Sequence, residues 1–154
     1  MTNTTCSTLV LMDIENHTAA DSSHVLEAIG QIEAAGEVEP TARRIIASGG
    51  RFAATALFDV AAHYPTRCYS YRVGHGIDGA DRKLLEDADP DRIAERHHRV
   101  VIASGDHCFA PLAAALVDRG VETVVVVRAG SLADELDRSG ARIVSLRPLL
   151  TPAA

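Results

Sequence analysis

The sequence predicts one α/β domain, a three-layer sandwich built on a doubly wound, mainly parallel sheet of five or six strands. Three observations carry this. Short β-rich runs alternate with longer helical ones along the 154 residues. The first run, Thr8-Leu9-Val10-Leu11-Met12-Asp13, is continuously apolar, as strands covered on both faces are. The strands are separated by helical segments, the pattern of parallel strands joined by right-handed crossovers.

Each element has its own signal. Ser22 to Ala35 repeats Val25, Ile29 and Ile32 at helical spacing, with Gly36 as its stop. Arg43 to Ser48 is the second strand, closed by Gly49-Gly50. Phe52 to His63 is helical and stops before Pro65. Arg67 to Val73 alternates like a third strand and runs into Gly74-His75-Gly76-Ile77. Asp78 then reads as the N-cap of a helix, with Asp81 three residues on, a capping-box variant. Asp89-Pro90 starts a shorter helix at N-cap and N1. Arg99 to Ser104 is the fourth strand, followed by a helix over Ala110 to Arg119 that Gly120 ends. Glu122 to Arg128 is the most β-branched strand. Ser131 to Ser139 is helical, and Arg142 to Leu146 is a sixth strand. No linker, repeat or low-complexity segment divides the chain. It reads as a single domain over 1–154 with an ordered core at about 8–147 and a frayed C-terminal end.

Composition narrows the function. The chain is 47% hydrophobic with a net charge of −6, which fits a globular fold and argues against tight non-specific coating of DNA. Lys83 is the single lysine among 15 basic residues. No apolar run approaches the ~20 residues of a bilayer span, so no membrane partner is expected. Met1 to Ser7 is polar without a basic n-region, which speaks against a secretory signal. Cys6, Cys68 and Cys108 are an odd set without metal-type spacing, so a reducing cytoplasm is the expected compartment. An exposed edge strand is compatible with a homodimer.

In doubly wound sheets ligands sit beyond the C-terminal ends of the strands, where strand order reverses. The first strand ends in Asp13-Ile14-Glu15-Asn16 and the fourth in Ser104-Gly105-Asp106-His107. The helix carrying Asp78, Asp81 and Asp87 lies between them in sequence. Strands one and four flank the switch point in common orders of this fold, so Asp13 and Asp106 are expected to approach each other. Clustered carboxylates repel, and at least one should have a raised pKa. A divalent cation removes that conflict, and Mg²⁺ or Mn²⁺ accepts oxygen-only ligands with retained waters. Such a site can activate water against a phosphodiester. Taken singly, each acid has a plainer reading. Asp106 precedes a helix and suits a cap, and a lone strand-end Asp is usually a solvated turn.

Three blocks carry a resemblance. LVLMDIEN (Leu9 to Asn16), GADRKLLEDA (Gly79 to Ala88) and VIASGDHCFAPLAAALVDRGVETVVV (Val101 to Val126) resemble the signature blocks of NYN domains. These are PIN-like nucleases related to limkain and LabA-type proteins. The family pattern is roughly D-x-E-N, then G-x-D-x-x-L-x-x-D-A, then S-G-D-x-D-F-x-P-L, and the likeness runs from about Leu9 to Leu146. It implies a Rossmann-like PIN fold and metal-dependent cleavage of RNA by clustered acids. By position those acids are Asp13, Asp81 and Asp106, and Asn16 matches the Asn expected to orient water or a carboxylate. Asp87 matches the second Asp of the middle block. It lies six residues after Asp81, about 240° around the helix, so both cannot aim at one ion.

One position departs from the pattern: Cys108 stands where the family's S-G-D-x-D has its second acid. Losing a hard oxygen ligand weakens Mg²⁺ binding. Cys108 also begins a helix, where thiol pKa tends to fall. Around the acids, Glu15 reads as a ligand, as a helper to one or as a surface ion-pair partner. Arg82, Lys83, Arg51 and His107 read as contacts to an anionic backbone, or more plainly as solvated charges.

Three functions compete. The first is a metal-dependent ribonuclease using Asp13, Asp81 and Asp106. The second is a module that binds RNA or a nucleotide without turnover, which Cys108 favours. The third is a phosphohydrolase of the haloacid dehalogenase type. With Asp13 as nucleophile and Ser104-Gly105-Asp106 as metal motif it fits superficially, but that chemistry wants Asp where Glu15 stands, and no lysine is well placed before the metal motif.

Overall fold

Leu9 and Leu11 alternate along the first strand with Val10 and Met12, so both of its faces are apolar and both are buried. The computed structural model describes residues 7–14, 25–49 and 53–147. The chain runs β1 (Thr8–Asp13), α1 (Val25–Ala35), β2 (Arg43–Gly49), α2 (Ala53–His63), β3 (Tyr69–Gly74), α3 (Gly79–Glu86), α4 (Pro90–Arg96), β4 (Arg99–Ala103), α5 (Ala110–Asp118), β5 (Glu122–Arg128), α6 (Asp134–Asp137) and β6 (Arg142–Leu146).

The described strands form one six-stranded sheet in the order β3-β2-β1-β4-β5-β6. Every pairing is parallel. The order reverses between β1 and β4, where Met12 pairs with Ala103. Two cores cover the sheet. Leu9 and Leu11 face Leu84 of α3, Ile93 of α4, Leu116 of α5 and Leu136 of α6. Val10 and Met12 face Ile29 and Ile32 of α1 and Val60 of α2. Each such side chain contributes about 1.5–3 kcal/mol when fully buried, and the alternation gives every core strand two such layers. These are the three layers and the parallel sheet that the sequence predicts. Among the described residues no helix is long and apolar enough to cross a membrane.

A buried ion pair ties the α1 layer together. Arg44 of β2, 2% exposed, donates to Glu33 of α1 at 2.6 Å and to the Ala42 carbonyl at 2.8 Å. The Tyr64 hydroxyl donates to the same Glu33 oxygen, and the Arg44 guanidinium lies 4.6 Å over the Tyr64 ring.

Three local expectations need correction. The third strand starts at Tyr69, not Arg67, because a 3-10 turn over Thr66–Cys68 follows Pro65, closed by Cys68 N–H to the Pro65 carbonyl at 2.9 Å. The helix expected over Ser131 to Ser139 is the four-residue α6. Its intended first turn is held as a loop by Ala133 N–H donating to the Gly105 carbonyl at 2.9 Å. Helix α1 does stop before Gly36 as expected, and Glu37, left-handed with φ of 51°, then redirects the chain. Asp78 holds the N-cap position of α3 yet makes no side-chain cap, because its own backbone is left-handed at φ 56°. Asp89, by contrast, caps α4 as expected, accepting from the Asp91 N–H at 3.0 Å.

Candidate metal centre

Strand parity aims Asp13. It follows Leu9 and Leu11 on the α3 side of the sheet, at the C-terminal end of β1, and is 4% exposed. Ile14 continues the pairing by donating its N–H to the Ala47 carbonyl at 3.1 Å. The next residues, Glu15 and Asn16, lie outside the described residues, as does Arg51.

Asp81 arrives from the other layer. Helix α3 packs across β3, β2 and β1, and Asp81 sits in its first turn, also 4% exposed. The β3–α3 loop doubles back so tightly that a Cβ on Gly74 would lie 2.0 Å from the Gly79 carbonyl carbon. Only glycine permits that approach, and it fixes where α3 begins. Arg82 closes the same loop, donating to the carbonyls of Ile77 at 2.5 Å and His75 at 2.7 Å.

Asp106 comes from the loop after β4. Its carboxylate accepts the Cys108 N–H at 2.8 Å and so caps the 3-10 turn His107–Phe109, whose Phe109 is fully buried. Its own N–H donates to the Oγ of buried Ser104 at 3.2 Å. A Cβ on Gly105 would lie 2.1 Å from the Ser131 carbonyl oxygen, so this loop is pressed against the β5–α6 connection. Asp106 thus fills the plain role of a cap and also points an oxygen into a cluster.

That cluster is compact. Donor atoms of Asp81, Asp106 and Cys108 lie within 4.8 Å of one another. The Asp13 side chain acts on Asp81 from the end of β1. Asp13 is not among the residues whose donor atoms gather within 4.8 Å, so of the three acids that the motifs single out, Asp81 and Asp106 share the compact group and Asp13 adjoins it through Asp81.

The electrostatics follow the burial. Burial pushes the Asp81 carboxyl above its ordinary range, and the charges of Asp106 and Asp78 add to it against hydrogen bonds from Asp13 and Cys108. Burial also pushes Asp106 up, but the Cys108 N–H, the Cys108 thiol and His107 outweigh it and hold that carboxyl low. The expectation of an acidic thiol at Cys108 is reversed. Burial raises it, as do its hydrogen bond to Asp106 and the charges of Asp81, Asp106 and Asp78. Three carboxylates outweigh one short turn's N-terminus.

The donor set fits a divalent cation. Among the described residues the buried Oδ1 atom of Asp81 has no hydrogen-bond partner, an arrangement that costs free energy unless a cation satisfies it. Asp81 and Asp106 offer oxygens of the kind that Mg²⁺ or Mn²⁺ accepts, while Cys108 adds a sulfur foreign to an all-oxygen site.

The other candidates lie outside this knot. Asp87 is exposed and pairs with Arg72 at 2.6 Å. Asp78 is exposed, though its charge reaches Asp81 and Cys108. Lys83 pairs with Glu86 at 3.3 Å along α3. His107 is 72% exposed with Nδ1 3.3 Å from Asp106. The buried Ser104 and the glycines at 74, 79 and 105 are positioning residues that sequence reasoning assigned no role. Ser104 and Gly105 lie within the S-G-D block, which is the signal that could have found them.

The chain matches none of the curated proteins with which it was compared. The NYN domain matches over residues 7–147, nearly the whole chain. Its sheet order and carboxylate cluster fit that match, and the chain belongs to the NYN domain family, within the PIN-like nuclease superfamily.

Proposed function

We propose that the protein is a metal-dependent ribonuclease that hydrolyses RNA phosphodiester bonds at the Asp13–Asp81–Asp106 cluster. The observation that carries this reading is the buried Oδ1 of Asp81, without a hydrogen-bond partner among the described residues, grouped with Asp106 and Cys108 at the switch point of the sheet. NYN nucleases generally depend on a divalent metal, and NYN domains act on RNA. Bound Mg²⁺ or Mn²⁺ supplies water activation and screening of charge on the phosphate.

The chain's own residues divide the remaining work. Asp81 and Asp106 hold the cation, and Asp13 completes the set and fixes the orientation of Asp81. Asn16, next in the first block, orients the attacking water or a carboxylate, and Glu15 supports the same ligands. His107 stands exposed beside Asp106, where a phosphate or leaving group meets it. Among the described residues Arg82 bonds two neutral carbonyls, which leaves its charge available to an anion. Lys83 has an exposed partner in Glu86, a pair weak enough to exchange for phosphate. Arg51 is assigned to the same backbone contact. Asp78 and Asp87 take no part as ligands and shape the local field.

The test is cleavage of a labelled RNA in Mn²⁺ by Asp13→Asn and Asp106→Asn, each checked for an unchanged fold by circular dichroism. Loss of at least about a hundredfold is expected. Wild-type rates in both variants would refute the assignment. A second reading, RNA binding without turnover, is favoured by Cys108 at an acidic position of the family pattern. It requires retained RNA affinity with no metal-dependent cleavage by the purified wild type.

A further inference from the structure

We propose that Cys108 is itself a metal ligand, and that it makes this centre select a thiophilic divalent cation such as Zn²⁺ or Co²⁺ over Mg²⁺. The inference rests on the metal centre proposed above and goes beyond it, since it concerns the one position where this chain departs from the all-oxygen pattern.

Two independent observations converge. Cys108 Sγ and carboxylate oxygens of Asp81 and Asp106 lie within 4.8 Å of one another. A tetrahedral cation with ligand distances of about 2.1 Å to oxygen and 2.3 Å to sulfur holds its ligand atoms about 3.4–3.6 Å apart, so a pair at the 4.8 Å limit must close by roughly an ångström, within reach of side-chain rotation. Separately, Asp81 is 4% exposed and its Oδ1 has no hydrogen-bond partner among the described residues. Sulfur belongs to this group because the Asp106 carboxylate that caps the turn by accepting the Cys108 N–H at 2.8 Å keeps the Cys108 side chain beside it. Asp13, whose side chain acts on Asp81, is the positioning residue that orients it.

The donor chemistry then decides which cation. Mg²⁺ demands octahedral oxygen and keeps its waters, so a sulfur among the donors works against it. Borderline cations take mixed sulfur and oxygen sets, and three protein ligands leave a position open for water or substrate. Binding replaces the S–H bond with an S–metal bond and releases the thiol proton to solvent; no electrons are transferred.

The full-length chain is titrated separately with Cd²⁺ and Co²⁺ while thiolate-to-metal charge-transfer absorption is followed in the near ultraviolet. A saturable band is expected in the wild type, retained in Cys6→Ser and Cys68→Ser and lost in Cys108→Ser and Asp81→Asn. Cys108→Asp should shift the ratio of Mg²⁺ to Co²⁺ affinity toward Mg²⁺ by at least about tenfold, the scale on which ligand changes act. A band that survives Cys108→Ser overturns the inference. So does calorimetric Mn²⁺ binding that depends on Asp81 with no band for Cd²⁺, although the ribonuclease centre would then stand. Absence of binding by any of these cations overturns both.

Discussion

Asp13, at the end of β1, and Asp81, in the first turn of α3, are both 4% exposed, and the Asp13 side chain acts on the Asp81 carboxyl. One side chain comes from the sheet and the other from the layer above it. Strand parity delivers the first and a double-glycine loop the second. Burial there favours the protonated form of the Asp81 carboxyl.

The pH dependence of the metal-free protein follows from Asp81. Its pKa is raised above the ordinary 3.8 by burial and by the charges of Asp106 and Asp78. Between 3.8 and the raised value the folded chain holds the proton that the unfolded chain has lost. Stability therefore falls as pH rises through that window and stays lower above it. Asp81→Asn should melt higher than wild type at neutral pH in chelator, with the gap closing below pH 3.8. Saturating cation should reverse the order, adding about 2.7 kcal/mol to the wild type alone at a hundredfold excess over Kd.

The loop after β4 has no room for a methyl group. Gly105→Ala would set a Cβ 2.1 Å from the Ser131 carbonyl oxygen, a backbone atom that cannot swing aside. A loss of about 3 kcal/mol in urea unfolding is expected, the upper end of overpacking. Because Asp106 is the next residue, metal affinity should fall even where the variant remains folded. An unchanged unfolding midpoint would contradict this packing.

The Arg44–Glu33 pair is too buried to lose one member cheaply. Glu33→Gln leaves a guanidinium that is 2% exposed facing a neutral amide, and about 3–5 kcal/mol of stability should go with it. Replacing both partners, as Glu33→Leu with Arg44→Met, should cost clearly less than the sum of the single changes. Chemical denaturation of the two singles and the double checks the cycle.

Much of this was legible in the residues. The alternation of Leu9 and Leu11 against Val10 and Met12 marked a doubly covered strand, and Glu122 to Arg128 and Arg142 to Leu146 match their strands end to end. The six-residue spacing of Asp81 and Asp87 predicts that both do not aim at one ion, and Asp87, just after α3, pairs with Arg72. What could not be read was tertiary. The loss of helix at Ser131 comes from a hydrogen bond to Gly105, a residue in another loop. The left-handed backbone of Asp78 comes from the Gly74–Gly79 contact that folds the loop back. The raised pKa of the Cys108 thiol comes from carboxylates distant in sequence, whereas the local pattern offered only a helix start.

The central claim is that Asp13, Asp81 and Asp106 form one cage for a cation. A crystal soaked in Mn²⁺, with the ion located by its anomalous signal, tests it most directly. The account predicts a peak bonded to Asp81 and Asp106, with the lone Oδ1 of Asp81 turned to the ion and Cys108 at its side. Crystals that show no peak there, and a protein or water hydrogen filling that Oδ1 instead, would contradict it.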